Sequence, residues 1–132
     1  MVVDTSALVA VMSAEPGWEK LLGVMEDAAV VHVSSATLIE TSMVLEGRHG
    51  RKQLEILDRL LARLGAEIVP VDEDHVEAAR EAFHRFGKGR HPARLNFGDL
   101  FSYALAITLA EPLLFTGNDF SRTDVEPALP PA

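Results

Sequence analysis

Short apolar runs rich in β-branched residues alternate with longer stretches of helical periodicity along the chain, and this alternation limits the fold more than any other feature. Residues 1–4, 29–33, 67–71 and 113–116 read as brief buried strands, with a last short strand expected near 124–126. Between them lie helical patterns. One covers 7–13, and a second begins after Pro16 and carries Trp18, Leu21, Leu22 and Met25. A third follows the turn and cap residues 34–37 and turns Leu38, Ile39, Met43 and Val44 inward. A fourth has its stripe at Leu54, Ile56, Leu57, Leu60, Leu61 and Leu64 and closes at Gly65. A fifth, capped by Asp72 or Asp74, carries Val76, Ala79, Ala82, Phe83 and Phe86, and an apolar sixth covers 97–110. Strands separated by helices join as right-handed βαβ units, which predicts an α/β fold of three layers with a central, mostly parallel sheet flanked by helices.

With 132 residues the chain reads as one domain over 1–132, of which about 126–132 is a tail. A chain of this size buries enough surface for a self-sufficient core. It has no cysteine, which removes disulfides and thiolate metal sites and is compatible with the cytoplasm. Asp4 interrupts the first apolar run and no basic segment precedes it, so the start does not read as a signal peptide. No run of about 18 uncharged apolar residues offers a membrane span.

Four acids stand where a carboxylate has a second use. Asp4 closes the opening MVVD, and Asp119 follows the run PLLFTGN. Glu40 and Asp99 each sit three residues after a helix-capping type, Thr37 and Asn96. In a parallel sheet, strand ends and helix starts share one edge, where ligands of α/β folds bind. All four acids then converge there. Two carboxylates 4 Å apart repel by roughly 4 kcal/mol at an effective dielectric near 20. Four of them need raised pKa values or a cation. Carboxylate and water ligands suit Mg²⁺ or Mn²⁺, not a thiolate or histidine-rich metal. Each acid also has an ordinary reading. Thr37 to Glu40 matches a capping box, Asp99 suits a helix start, and Asp4 and Asp119 suit turns.

The net charge of −8 argues against a polyanion partner, but its distribution does not. Arg85, Lys88, Arg90 and Arg94 fall in a stretch free of acids between Glu81 and Asp99, together with His84 and His91. Arg48, Arg51 and Lys52 surround His49 and Gly50 in a second basic cluster. Both patches read equally well as solvated loop and helix ends. The five histidines read as loop, surface or structural residues. Trp18, Phe83, Phe86, Phe97 and Phe101 lie at helical spacings that fit core or dimer contact better than base stacking. Glu46 is out of helical alignment with Glu40.

The segments MVVDTSAL, ATLIETSMVLEGR, LNFGDLFSYALA and LLFTGNDF, in this order over residues 1–125, resemble the PIN domain, in particular the VapC-type toxins of bacterial toxin–antitoxin pairs. The resemblance implies a Mg²⁺- or Mn²⁺-dependent endoribonuclease that is a homodimer held inactive by a cognate antitoxin. It implies Asp4, Glu40, Asp99 and Asp119 as the metal-binding catalytic quartet, with Asp119 acting through water. Thr5, Ser6 and Thr116 belong to the same motifs and are expected to orient a ligand or water. Arg85, Lys88, Arg90 and Arg94 are expected to guide RNA phosphates toward Asp99. With in-line attack by water, the resemblance further implies 5′-phosphate and 3′-hydroxyl ends. The helices around 38–64 are the expected groove for an antitoxin segment. Two other readings are open. An aspartyl phosphotransfer domain lacks support because Asp4 is followed by Thr5 and Ser6, and Lys20, Lys52 and Lys88 are the only lysines. A non-catalytic partner-binding module has acids that merely cap helices, so removing one costs stability.

Overall fold

The computed structural model describes residues 1–130. The order of elements is β1 (Val2–Val3), α1 (Thr5–Met12), α2 (Trp18–Asp27), β2 (His32–Ser34), α3 (Ser35–His49), α4 (Lys52–Arg63), β3 (Glu67–Val69), α5 (Glu73–Phe86), α6 (Phe97–Leu109) and β4 (Leu113–Leu114), followed by a 3₁₀ turn over Phe120–Arg122. Every strand pairing is parallel, in the spatial order β3-β2-β1-β4. Val2 pairs with both His32 and Leu113, so β1 lies at the centre of the sheet.

Successive strand side chains point to opposite faces of the sheet, and this sorts the core into two halves. Val3 and Leu114 face the side covered by α1–α4, among Leu8, Met25, Val33, Leu45 and Leu57. Val2 and Leu113 face the other side, among Phe86, Leu95, Tyr103, Leu105 and Phe120. Helices on both faces complete the three layers expected from the alternation. No described helix is long and apolar enough to cross a membrane.

Several local expectations are corrected. The strands are two or three residues long, shorter than the apolar runs that contain them. Ser34, not Thr37, caps α3, its hydroxyl accepting the Ala36 N–H at 3.3 Å. The inward face of α3 is Thr37, Thr41 and Leu45, while Ile39 and Met43 are 63% and 69% exposed. Ile56, Val76 and Phe83, expected on core faces, are exposed as well. The last strand is reduced to a single bridge between Leu113 and Pro127. The expected tail is packed over part of its length: the Ala128 N–H donates to Leu113 O at 2.9 Å, and Leu129 lies against the core. Residues 131–132 of that tail lie outside the described residues.

The chain visits β1, β2 and β3 in one direction and then returns to place β4 on the other side of β1. The switch point is therefore the crevice beyond the ends of β1 and β4, where Asp4 and Thr116 follow their strands.

Candidate metal and nuclease site

Asp4 leaves β1 in extended geometry and caps α1, accepting the Ser6 N–H at 3.0 Å. Its other oxygen accepts the Ser102 hydroxyl at 2.6 Å, and the Ser102 oxygen is 3.1 Å from Thr37 Oγ1. Asp4 is only 3% exposed. Burial raises its pKa above the usual carboxylate value, and the bonds from Ser102 and Ser6 act in the opposite sense.

Glu40 sits in the second turn of α3, because the helix begins at Ser35. Its Oε1 accepts the Thr5 hydroxyl at 2.6 Å. The Thr41 hydroxyl, which donates to Thr37 O at 2.8 Å, lies 3.2 Å from the Thr5 oxygen. On the opposite side Gly98 makes room for the carboxylate. A Cβ at Gly98 would overlap Glu40 Oε2 and stand 2.5 Å from Cδ and 2.7 Å from Oε1.

Asp99 closes a full capping box at the start of α6. Its N–H donates to Asn96 Oδ1, and its carboxylate accepts the Asn96 N–H, each at 3.0 Å. The ordinary reading of this acid is thus correct, but it does not exhaust its surroundings. The Asp99 pKa is raised to about 7, first by burial and then by the charges of Asp4, Asp119 and Glu40, against the lowering effect of the Asn96 N–H. Burial, and then the like charges brought beside it by the fold, make this carboxyl harder to ionise than a free one.

Asp4, Glu40 and Asp99 line one open cavity of about 300 Å³ together with Thr5, Ser6, Thr116, Glu15 and Arg48. Thr116 is held there by its N–H, which donates to Ser6 Oγ at 3.0 Å. Asp119 is exposed at the head of the 3₁₀ turn, outside that lining but near enough to act on Asp99. A larger cavity of about 560 Å³, from Pro16 to Pro130, shares Thr116 and is lined by no acidic side chain among the described residues. Among the described residues no three acids or histidines stand close enough to form a ready-made cage for a metal ion.

The basic loop lies elsewhere. Arg85 pairs with Asp124 at 3.3 Å and lies over the Phe86 ring, and Arg90 lies over the Phe83 ring. Neither these two nor Lys88 and Arg94 line the acidic cavity. The Ala93 N–H donates to His91 Nδ1 at 3.0 Å, which makes that histidine a brace of the loop. Three residues of the site escape the sequence reading. Ser102 lies one helical turn after Asp99, and that spacing was a usable signal. Gly98 lies in the first turn of α6, where glycine is a poorer helix former than alanine, which also flags a close approach. Nothing in the sequence marks Glu15.

The family model described as the PIN domain matches residues 1–126. The chain is 50% identical over 125 residues to a protein of Mycolicibacterium smegmatis named Ribonuclease VapC, covering 95% of this chain and 97% of that one. It is 46% identical over 125 residues to Ribonuclease VapC30 of Mycobacterium tuberculosis, covering 95% of each. The crystal structure of Mycobacterium tuberculosis VapC20, described as a Sarcin-Ricin loop cleaving toxin, superimposes with a TM-score of 0.76 at 22% identity, over 94% of this chain and 95% of that one, and shares the fold. With Asp4, Glu40 and Asp99 gathered at the switch point of a parallel sheet, the chain belongs to the PIN-domain family and, within it, to the VapC ribonucleases.

Proposed function

We propose that this protein is the toxin of a toxin–antitoxin pair, an endoribonuclease of the cytoplasm that hydrolyses RNA phosphodiester bonds with Mg²⁺ or Mn²⁺. The observation that carries this reading is one cavity that gathers Asp4, Glu40 and Asp99 at the switch point, with Asp99 made hard to ionise first by burial and then by its acidic neighbours.

The donor set fits a hard cation. Its donors are carboxylate and hydroxyl oxygens, and among the described residues neither histidine nor cysteine lines the cavity. Mg²⁺ keeps several waters and binds through one or two carboxylates plus substrate phosphate, so a preformed cage of three is not required. Asp4 and Asp99 would hold the ion, Glu40 would ligate it or take a proton from water, and Asp119 would act through water. When bound, the ion lowers the pKa of water and neutralises charge on the phosphoryl and leaving oxygens.

The chain's own residues prepare this chemistry. Ser102 and the Ser6 N–H fix both oxygens of Asp4, and Thr5 fixes one oxygen of Glu40. Ser6 and Thr116 flank the cavity and orient the substrate. Attack of water on phosphorus breaks the P–O3′ bond and leaves a 5′-phosphate and a 3′-hydroxyl, with no part for the 2′-hydroxyl. Arg85, Lys88, Arg90 and Arg94 form an outer basic approach for RNA. An antitoxin segment covers α3 and α4, where Ile39, Met43 and Ile56 are exposed, and a second copy of the chain covers other exposed apolar side chains such as Phe97.

Incubating the purified chain with single-stranded RNA and Mg²⁺ tests the proposal. Fragments with 3′-hydroxyl ends are expected, at a rate that falls by about 100-fold or more in Asp99→Asn. Cleavage by Asp99→Asn at the wild-type rate would contradict it.

A further inference from the structure

The acidic cavity contains one cation of its own. Among the described residues Arg48 is the only basic side chain in its lining. Glu40, Val44 and Arg48 all line the cavity from α3 at successive spacings of four, which places them along one helix face. Eight residues at 1.5 Å each put Arg48 about 12 Å along the axis from Glu40. The separation is between backbone positions, and it roots Arg48 away from the acids, toward a phosphate further along the strand.

Arg48 Nη1 is 3.4 Å from Glu15 Oε1, and the two side chains are 54% and 43% exposed. An ion pair this long and this wet contributes little and is easily exchanged. The backbone of Glu15 is fixed: its N–H donates to Ala10 O at 2.9 Å and its carbonyl accepts the Trp18 N–H at 3.0 Å. Beside it Ser13 Oγ and His49 Nε2 are 2.9 Å apart, so the end of α3 is fastened to the same connection. Glu15 and Arg48 therefore hold their positions at the rim, while only their charged ends are free to separate. A guanidinium is suited to paired hydrogen bonds with phosphate oxygens.

We propose that Arg48 grips an RNA phosphate beyond the scissile bond, and that Glu15 is the internal counter-ion which that phosphate must displace. The proposal rests on the nuclease reading and adds to it where the strand is held and what competes for the contact.

Cleavage kinetics of the full chain with Mg²⁺ and a single-stranded RNA test it, using wild type, Arg48→Ala, Glu15→Gln and the double variant. Arg48→Ala is expected to raise KM about tenfold with kcat within about twofold and an unchanged thermal midpoint, and Arg48→Lys to recover part of the loss. The salt dependence of log KM becomes shallower by about 0.7, the amount of one lost phosphate contact on a single strand. Glu15→Gln lowers KM severalfold, and this gain vanishes when Arg48 is alanine. An unchanged KM in Arg48→Ala would overturn the proposal. So would a gain from Glu15→Gln that persists without Arg48, because it would then reflect only the removal of a negative charge. If the wild type cleaves no RNA, the nuclease reading falls and this proposal with it. Cleavage by the wild type with no change of KM in Arg48→Ala overturns this proposal alone.

Discussion

Gly98 occupies the second position of α6, and its missing side chain is what lets the Glu40 carboxylate stand against that helix. The obstructed atoms are the end of a flexible side chain, so an added methyl is accommodated by displacing Glu40. Alanine also gains up to about 1 kcal/mol of helix propensity over glycine. Gly98→Ala is therefore expected to keep or raise the thermal midpoint while lowering kcat by about tenfold or more. A variant with wild-type kcat would show that the placement of Glu40 does not matter. At this scale the placement of Asp4, Glu40 and Asp99 at one crevice was legible in the sequence, because each follows a strand or sits near a helix start. Glu15 was not, because a rim acid acquires its role only from residues far away in the chain, and Ser102 offered no more than its spacing of three from Asp99.

The elements show why some of these roles were misread. The stretch Ser34-Ser35-Ala36-Thr37 contains three capping types, and propensity alone does not choose among them. The structure uses the first, which moves Glu40 from the first turn to the second and turns Ile39 and Met43 outward. At α6 the cap was legible because Asn96 and Asp99 form a reciprocal box that leaves a single solution. That box also holds the Asp99 carboxylate among like charges. Its pKa of about 7 in the fold compares with an ordinary 3.8. A carboxyl whose pKa is raised on folding stabilises the fold while protonated. The contribution is full below pH 3.8 and is lost as the pH rises through about 7. In metal-free buffer the thermal midpoint of Asp99→Asn, minus that of the wild type, should therefore increase between pH 4 and pH 7 by a few degrees and level off above. Asn retains an acceptor for the Asn96 N–H, so the cap itself is largely kept. A difference that stays flat across this range would mean that Asp99 is not under electrostatic stress.

For the molecule as a whole, the alternation of strands and helices was enough to expect a parallel three-layer sheet, because βαβ crossovers leave few other solutions. The strand order was not legible. It depends on β4 returning to the far side of β1, and that return creates the crevice into which Asp4 and Thr116 open. The outward-facing apolar side chains were not legible either, since a residue that covers a partner surface has the same pattern as one that covers a core. The central claim is that the carboxylates gathered in this crevice form a divalent-cation site. The most direct test is the thermal midpoint of wild type and Asp99→Asn in metal-free buffer and in Mn²⁺. At an ion concentration about a hundredfold above Kd the wild type should gain about 2.7 kcal/mol, a rise on the order of 10 °C, and the variant much less. No rise in either protein at millimolar Mn²⁺, or equal rises in both, would contradict the account.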